Sequence, residues 1–184
     1  MLQRISTLDA TFIVLTAACG VALKPIIGPI AKLIGSALLL PGGAIAGAIY
    51  MMWPMLALLV VRRFGTALMV GFIQGIIVLI TGFYGSHGIL SLVTYMAPCL
   101  FIDVCFWILK NYKNPLRLII PPAMGNLVGT LTVGVLVLHI PAIPLLISLI
   151  SAFISGCFAG GFAAGLHSLL SKSFPQFSKE ESVD

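Results

Sequence analysis

Charge is what this sequence has least of. Asp and Glu together number five and Lys and Arg ten, so 8% of the 184 residues are charged, against about a quarter in soluble domains. With 60% of its residues hydrophobic, the chain cannot cover a water-facing surface. Folded in water, it would expose apolar patches larger than a soluble monomer tolerates. It has no stripe of basic and aromatic residues, which removes a nucleic-acid surface. Cys19, Cys99, Cys105 and Cys157 lie in apolar segments and form no C-x-x-C pair, so they read as small core residues rather than a zinc or redox site. There is no H-E-x-x-H, no Gly-x-Ser-x-Gly, no nucleotide-binding loop, and no Ser, His and Asp at one depth. These absences point away from an enzyme and give no sign of a metal or other cofactor. Any transport against a gradient must draw its energy from another subunit.

What the chain does have is a series of long apolar segments. About 20 apolar residues rising 1.5 Å each cross roughly 30 Å of hydrocarbon. Segments 8–23, 44–61, 67–80, 89–109, 118–138 and 143–170 read as six membrane-spanning helices. The first and third are short, and the sixth is long enough to tilt. Segment 8–23 lacks the Ala-x-Ala cleavage site of a signal peptide and is kept as a span. The whole of 1–184 then forms a single integral membrane domain, with 178–184 a polar tail expected to be disordered.

The few basic residues set the orientation. Arg4, Arg62 and Arg63, Lys110, Lys113 and Arg117, and Lys172 and Lys179 fall on alternate sides of the spans, while the connections around Ser86 and His139 carry none. Because Lys and Arg in short loops stay inside, both termini are predicted to be cytoplasmic. The net charge of +5 suits an anionic inner leaflet. Two residues break the alternation, Lys24 and Lys32. They belong to segment 24–43, whose apolar core is short and interrupted by Gly28-Pro29. A Lys near mid-bilayer costs roughly 2.5–3.5 kcal/mol on insertion scales. The segment is therefore expected to be a partly helical loop embedded in the outer mouth of the bundle, with a seventh span as the alternative. Backbone of that kind is tolerated where it lines a cavity, so such a loop itself hints at a ligand site.

Small residues recur at four-residue spacing: Ala18-x-x-x-Ala22, Gly43-x-x-x-Gly47, Gly71-x-x-x-Gly75, Gly125-x-x-x-Gly129, Gly156-x-x-x-Gly160 and Gly161-x-x-x-Gly165. Such motifs let membrane helices approach closely, and the five glycine pairs are expected to pack within this chain. Among polar residues, Asp103 is the one acid expected deep in a span; a salt bridge to Arg62 or Arg63, a loop amide and a substrate contact are all open to it. Gln74, Asn126 and Thr130 are mid-span groups that can bond a ligand or a neighbouring helix. Tyr50, Trp53, Tyr84, His87, Tyr95 and His139 lie near the outer surface, where aromatic residues also form the interfacial belt. The turn Gly82-Phe83-Tyr84-Gly85-Ser86-His87-Gly88 offers stacking and hydrogen bonding to a planar heteroaromatic ligand.

In their order and spacing, several of these segments resemble a known family. Gly28-Pro29-Ile30-Ala31, the Tyr50–Trp53 segment leading to Arg62-Arg63, Gly65-Thr66-Ala67-Leu68, Ala123-Met124-Gly125-Asn126 and Ile154-Ser155-Gly156 through Ala159-Gly160 carry the likeness over 28–170. With Ala18-x-x-x-Ala22 on the first span, the chain looks like the substrate-binding S component of an energy-coupling factor (ECF) vitamin transporter. It is most similar to the thiamine and hydroxymethylpyrimidine-type members. The resemblance implies capture of a vitamin near the outer face, followed by docking on a membrane scaffold subunit driven by two cytoplasmic ATPases. It also implies that Ala18 and Ala22 face that scaffold. Trp53, Tyr84, His87, Tyr95, Asp103, Asn126 and His139 are the candidate substrate-binding residues, Asp103 falling where thiamine-type relatives also carry an acid. The third span departs from a cation site, with Gly71 and Val78 where acids would help, so a neutral pyrimidine is as plausible a cargo as thiamine. Two other classes stay open: a membrane enzyme using His87 or His139 as base, and a structural subunit or channel assembled through the glycine motifs.

Overall fold

The computed structural model describes residues 6–37, 40–82, 87–111 and 115–174. Among these, the chain forms eight α-helices and no β-strand: α1 (Thr7–Ala22), α2 (Lys24–Ala37), α3 (Gly42–Tyr50), α4 (Met52–Val61), α5 (Thr66–Thr81), α6 (Leu90–Ile108), α7 (Leu116–Leu136) and α8 (Ala142–Ser173). The protein is an all-α, multi-pass membrane protein. Each of the six predicted spans corresponds to α1, α3–α4, α5, α6, α7 or α8. Gly42–Val61 (α3 with α4), α6, α7 and α8 are each long and apolar enough to cross a bilayer, while α1 and α5 are shorter at 16 residues each. The predicted tail 178–184 and Tyr84 lie outside the described residues.

Local sequence explains the breaks. Ser6 and Asp9 open α1 with a reciprocal capping box, and Asp9 also meets Arg63 at 3.6 Å. Pro54 has no N–H to donate to the carbonyl of Tyr50, so Gly42–Val61 is interrupted at Met51 and becomes α3 and α4. From Pro54 to Val61 every residue of α4 is buried. A helix that is apolar all round belongs in the middle of a bundle, and α4 contacts α1, α5, α6, α7 and α8. Met55, Leu58, Ile102 and Phe106 form the centre of its packing.

Three glycine motifs make the seams between outer helices. A Cβ at Gly71 would meet the Tyr95 carbonyl at 2.5 Å and Cys99 Sγ at 2.7 Å, closing α5 on α6. At Gly125 it would meet Ile102 at 2.6 Å, closing α7 on α6, and at Gly156 the Ala123 Cα at 2.5 Å, closing α8 on α7. The other two glycine motifs depart from the expectation of packing throughout. Gly161, Gly165 and Gly43 have open space where a Cβ would stand. Sequence spacing cannot distinguish a seam from an outward face when both surroundings are apolar.

The seams predict a contrast. Gly160 lies against the Leu118 carbonyl and, at 2.9 Å from its missing Cβ, the Ile119 Cα, both backbone that cannot swing aside. Gly160→Val should therefore sharply reduce the yield of monodisperse protein, since overpacking costs about 1–3 kcal/mol or more. Gly165→Val on the same helix should give wild-type yield. Size-exclusion chromatography in detergent checks both, and equal behaviour of the two variants would contradict the α7–α8 seam.

Segment 24–43 differs most from expectation. The segment is partly helical, as expected, but its helical part is longer than a loop suggests: α2 runs over Lys24–Ala37 and is bent by 45° from α1 at Leu23, the geometry of a broken span or a re-entrant loop. Pro29 sits inside α2 without ending it. The one backbone bond it forgoes would run to Pro25, in the first turn of a helix that already begins at Lys24. α2 packs on α3 and turns two faces to different surroundings. Ile26, Ile30 and Leu33 point outward, while Lys24, Gly28, Lys32 and Ser36, spaced four apart, line a cavity, the first two buried and the last two exposed.

Candidate functional site

That cavity has a volume of about 410 Å³. α2 forms one wall, the α3–α4 break with Tyr50, Met51 and Pro54 a second, and α5, α6 and α7 the rest through Gln74, Tyr95 and Thr130. Prolines shape two of these walls. Pro54 leaves the Tyr50 carbonyl without its helical donor, and Pro98 in α6 does the same for Thr94, and all four residues line the cavity.

Lys24 is its dominant feature. The residue is only 8% exposed, yet its Nζ meets no carboxylate among the described residues. It lies 3.6 Å from the centroid of the Tyr95 ring and 5.4 Å from that of Tyr50. A desolvated cation–π contact contributes roughly 2 kcal/mol, comparable to the roughly 2.5–3.5 kcal/mol cost of a Lys at membrane depth. The two rings thus offset much of the burial penalty. Among the described residues no Asp or Glu lines the cavity, whereas Lys32 adds a second cation.

Two more groups await partners. The Gln74 amide nitrogen and the Thr130 hydroxyl are buried without a hydrogen bond among the described residues, the Gln74 nitrogen lying against Gly20 of α1, outside the lining, and Thr130 belonging to the lining. Buried polar groups are nearly always satisfied, and those left open in a cavity wall mark where a ligand or water bonds. His87, just before α6, lines the cavity too, its backbone N–H donating to Ser91 Oγ at 2.8 Å. Burial, and secondarily the charge on Lys24, lower the His87 pKa below its ordinary 6.5 and hold the imidazole neutral at pH 7.

The candidate residues separate into two groups. His87, Tyr95 and Asn126 come together in the cavity lining. Asn126 is also a strut, its amide donating to the Ala152 carbonyl at 2.8 Å and the Ala44 carbonyl at 3.3 Å, which ties α7 to α8 and α3. Trp53 is outside the lining, packed beside Gly20 and the α4 core with its indole nitrogen unpartnered among the described residues. His139 is exposed in the α7–α8 turn at φ 47°. Asp103, fully buried, also lies outside the lining and caps α5: Oδ2 accepts from Leu68 N–H at 2.8 Å and Oδ1 from Ala67 N–H at 3.3 Å. Of the uses open to it, the structure shows the bond to backbone amides. Lys24, Lys32 and Tyr50 were not among the candidates. Their signal was present in the charge pattern, since the two lysines that break the alternation both line the cavity.

A helical membrane bundle holding a mostly apolar cavity with a few polar groups is an integral membrane protein with room for a small organic ligand. The family of permease components of ABC-type cobalt transport systems matches residues 10–129, about two-thirds of the chain, and the protein belongs to that family. It is therefore a membrane component of an ABC-type transport system in the cell membrane, one that works with ATPase subunits. The matched segment runs from α1 into α7 and includes most of the cavity lining. No curated protein and no solved structure matched the chain.

Proposed function

We propose that this chain is the substrate-capture S component of an ECF-type ABC importer. It binds a small planar vitamin or vitamin precursor in the cavity, near the outer face, and delivers it by docking on a membrane scaffold driven by two cytoplasmic ATPases. The cavity carries this reading. Its 410 Å³ suits an organic molecule, within the roughly 300–1,000 Å³ range of small-molecule pockets, and is far larger than one ion needs. Tyr50 and Tyr95 offer aromatic surface, while Thr130 offers a hydrogen bond to a ring heteroatom.

The lining also bears on the cargo. Divalent cobalt is held by imidazole, thiolate or carboxylate clusters, and a thiazolium cation by carboxylates. Here Lys24 and Lys32 face the same space, so either cation is repelled. A pyrimidine-like or other non-cationic vitamin fits better. The test is a thermal-shift screen of purified protein against B vitamins and pyrimidine precursors, followed by titration. At least one non-cationic compound should bind, and Thr130→Val should weaken it about tenfold by removing one buried hydrogen bond at constant shape. Failure of every compound to bind folded protein would remove the capture reading.

A further inference from the structure

Within that capture reading, we propose that the cargo is an anion: a planar molecule whose carboxylate or phosphate oxygens are bound by the Lys24 ammonium. The argument begins with what surrounds Lys24. Tyr95 and Tyr50 hold the ammonium at 3.6 and 5.4 Å from their ring centroids, contacts that fix its position but bring it no negative charge. The chain has five acidic residues. Asp9 pairs with Arg63, Asp103 caps α5, and Glu180, Glu181 and Asp184 lie beyond the described residues. A cation left uncompensated in a cavity wall is an anion site awaiting its ligand.

Three further observations point the same way. Lys32, two turns along α2, adds positive charge to the wall that Lys24 occupies. The Thr130 hydroxyl, buried and unpartnered among the described residues, is a donor on a residue of the lining. The tyrosine rings that hold Lys24 also place aromatic surface beside the anion, which suits a charge attached directly to a flat ring. Geometry therefore selects an aromatic or heteroaromatic acid over its amide, alcohol or amine analogue.

The experiment compares matched compounds on full-length protein in detergent: nicotinic acid with nicotinamide, 4-pyridoxic acid with pyridoxine, pyridoxal phosphate with pyridoxal, and thiamine as the cationic member. In the wild type, the acid or phosphate of at least one pair should bind at least about 30-fold tighter than its neutral partner. Carboxylate and phosphate pairs distinguish the two sources of anion. Lys24→Met should weaken the anion about 100-fold and the neutral partner less than threefold, and Lys24→Arg should recover most of the loss. If Lys24→Met does not fold, the wild-type selectivity and the Lys24→Arg variant decide. Binding of a neutral or cationic compound as tightly as any anion overturns the proposal and leaves the capture reading standing, as does an anion affinity unmoved by Lys24→Met. Binding of nothing in this set or in the vitamin screen removes both.

Discussion

Replacing Ala18 or Ala22 with Trp is expected to abolish uptake by whole cells while leaving ligand affinity of the purified chain within about twofold, because neither alanine lines the cavity and both face outward. α1 buries Ile13, Ala17, Gly20 and Val21 against the bundle and turns Val14, Leu15, Ala18 and Ala22 outward. The two alanines make a shallow strip on that outer face, flanked by Val14 at 51% and Leu15 at 56% exposure. An indole there meets lipid in the isolated subunit, so folding and the cavity are undisturbed. Against a partner helix it prevents the close approach that small residues permit, and membrane helices have little besides such packing to hold them together. Uptake in cells and titration of purified protein measure the two properties separately. Loss of both in parallel would show that the pair supports the fold of this chain; retention of both would show that the partner docks elsewhere.

Asp103→Leu is expected to prevent accumulation of folded protein. α5 starts at Gly65, which sits at φ 87° and has no side chain to cap the helix, so its first amides depend on a carboxylate from α6. Removing that carboxylate leaves the Ala67 and Leu68 N–H groups without an acceptor in a dry interior. At about 1–3 kcal/mol for each unmet group, the loss is roughly 3–5 kcal/mol, a large part of the stability of a typical domain. Asp103→Asn should be intermediate, because one amide keeps an oxygen acceptor while the other faces an NH₂. Since Asp103 lies outside the cavity, whatever fraction of that variant folds should bind ligand with wild-type affinity. Thermal unfolding in detergent and titration check the two statements. Normal stability combined with lost binding would assign Asp103 to the ligand instead.

Helix boundaries were legible because hydrophobic length is a local property. The apolar segments at 44–61, 89–109 and 118–138 end within two residues of Gly42–Val61, Leu90–Ile108 and Leu116–Leu136. The face each helix turns inward was not legible. Lipid and protein core are both apolar, so burial leaves little periodic trace along a span. Gly156-x-x-x-Gly160 and Gly161-x-x-x-Gly165 look alike in sequence, yet one closes on α7 and the other has open space.

Part of the cavity was also visible in advance. His87, Tyr95 and Asn126 stood out as polar or aromatic groups in apolar surroundings, and all three line it. The roles of Asp103 and Lys24 required tertiary structure. Asp103 caps amides 35 and 36 residues away, a pairing that no local pattern encodes.

By itself, then, the sequence determined an all-helical membrane protein, where most of its spans begin and end, and that Lys24 and Lys32 were anomalous. Those properties follow from composition and hydrophobic length, which each segment carries on its own. Only the tertiary structure decided that segment 24–37 is a helix, that its two lysines line a cavity, and which polar groups are already satisfied. Those outcomes depend on how α2 is rotated against α3 and on contacts between residues distant in the chain, where a turn of α2 by about 200°, two residues, would put Ile26 and Ile34 in the places of Lys24 and Lys32.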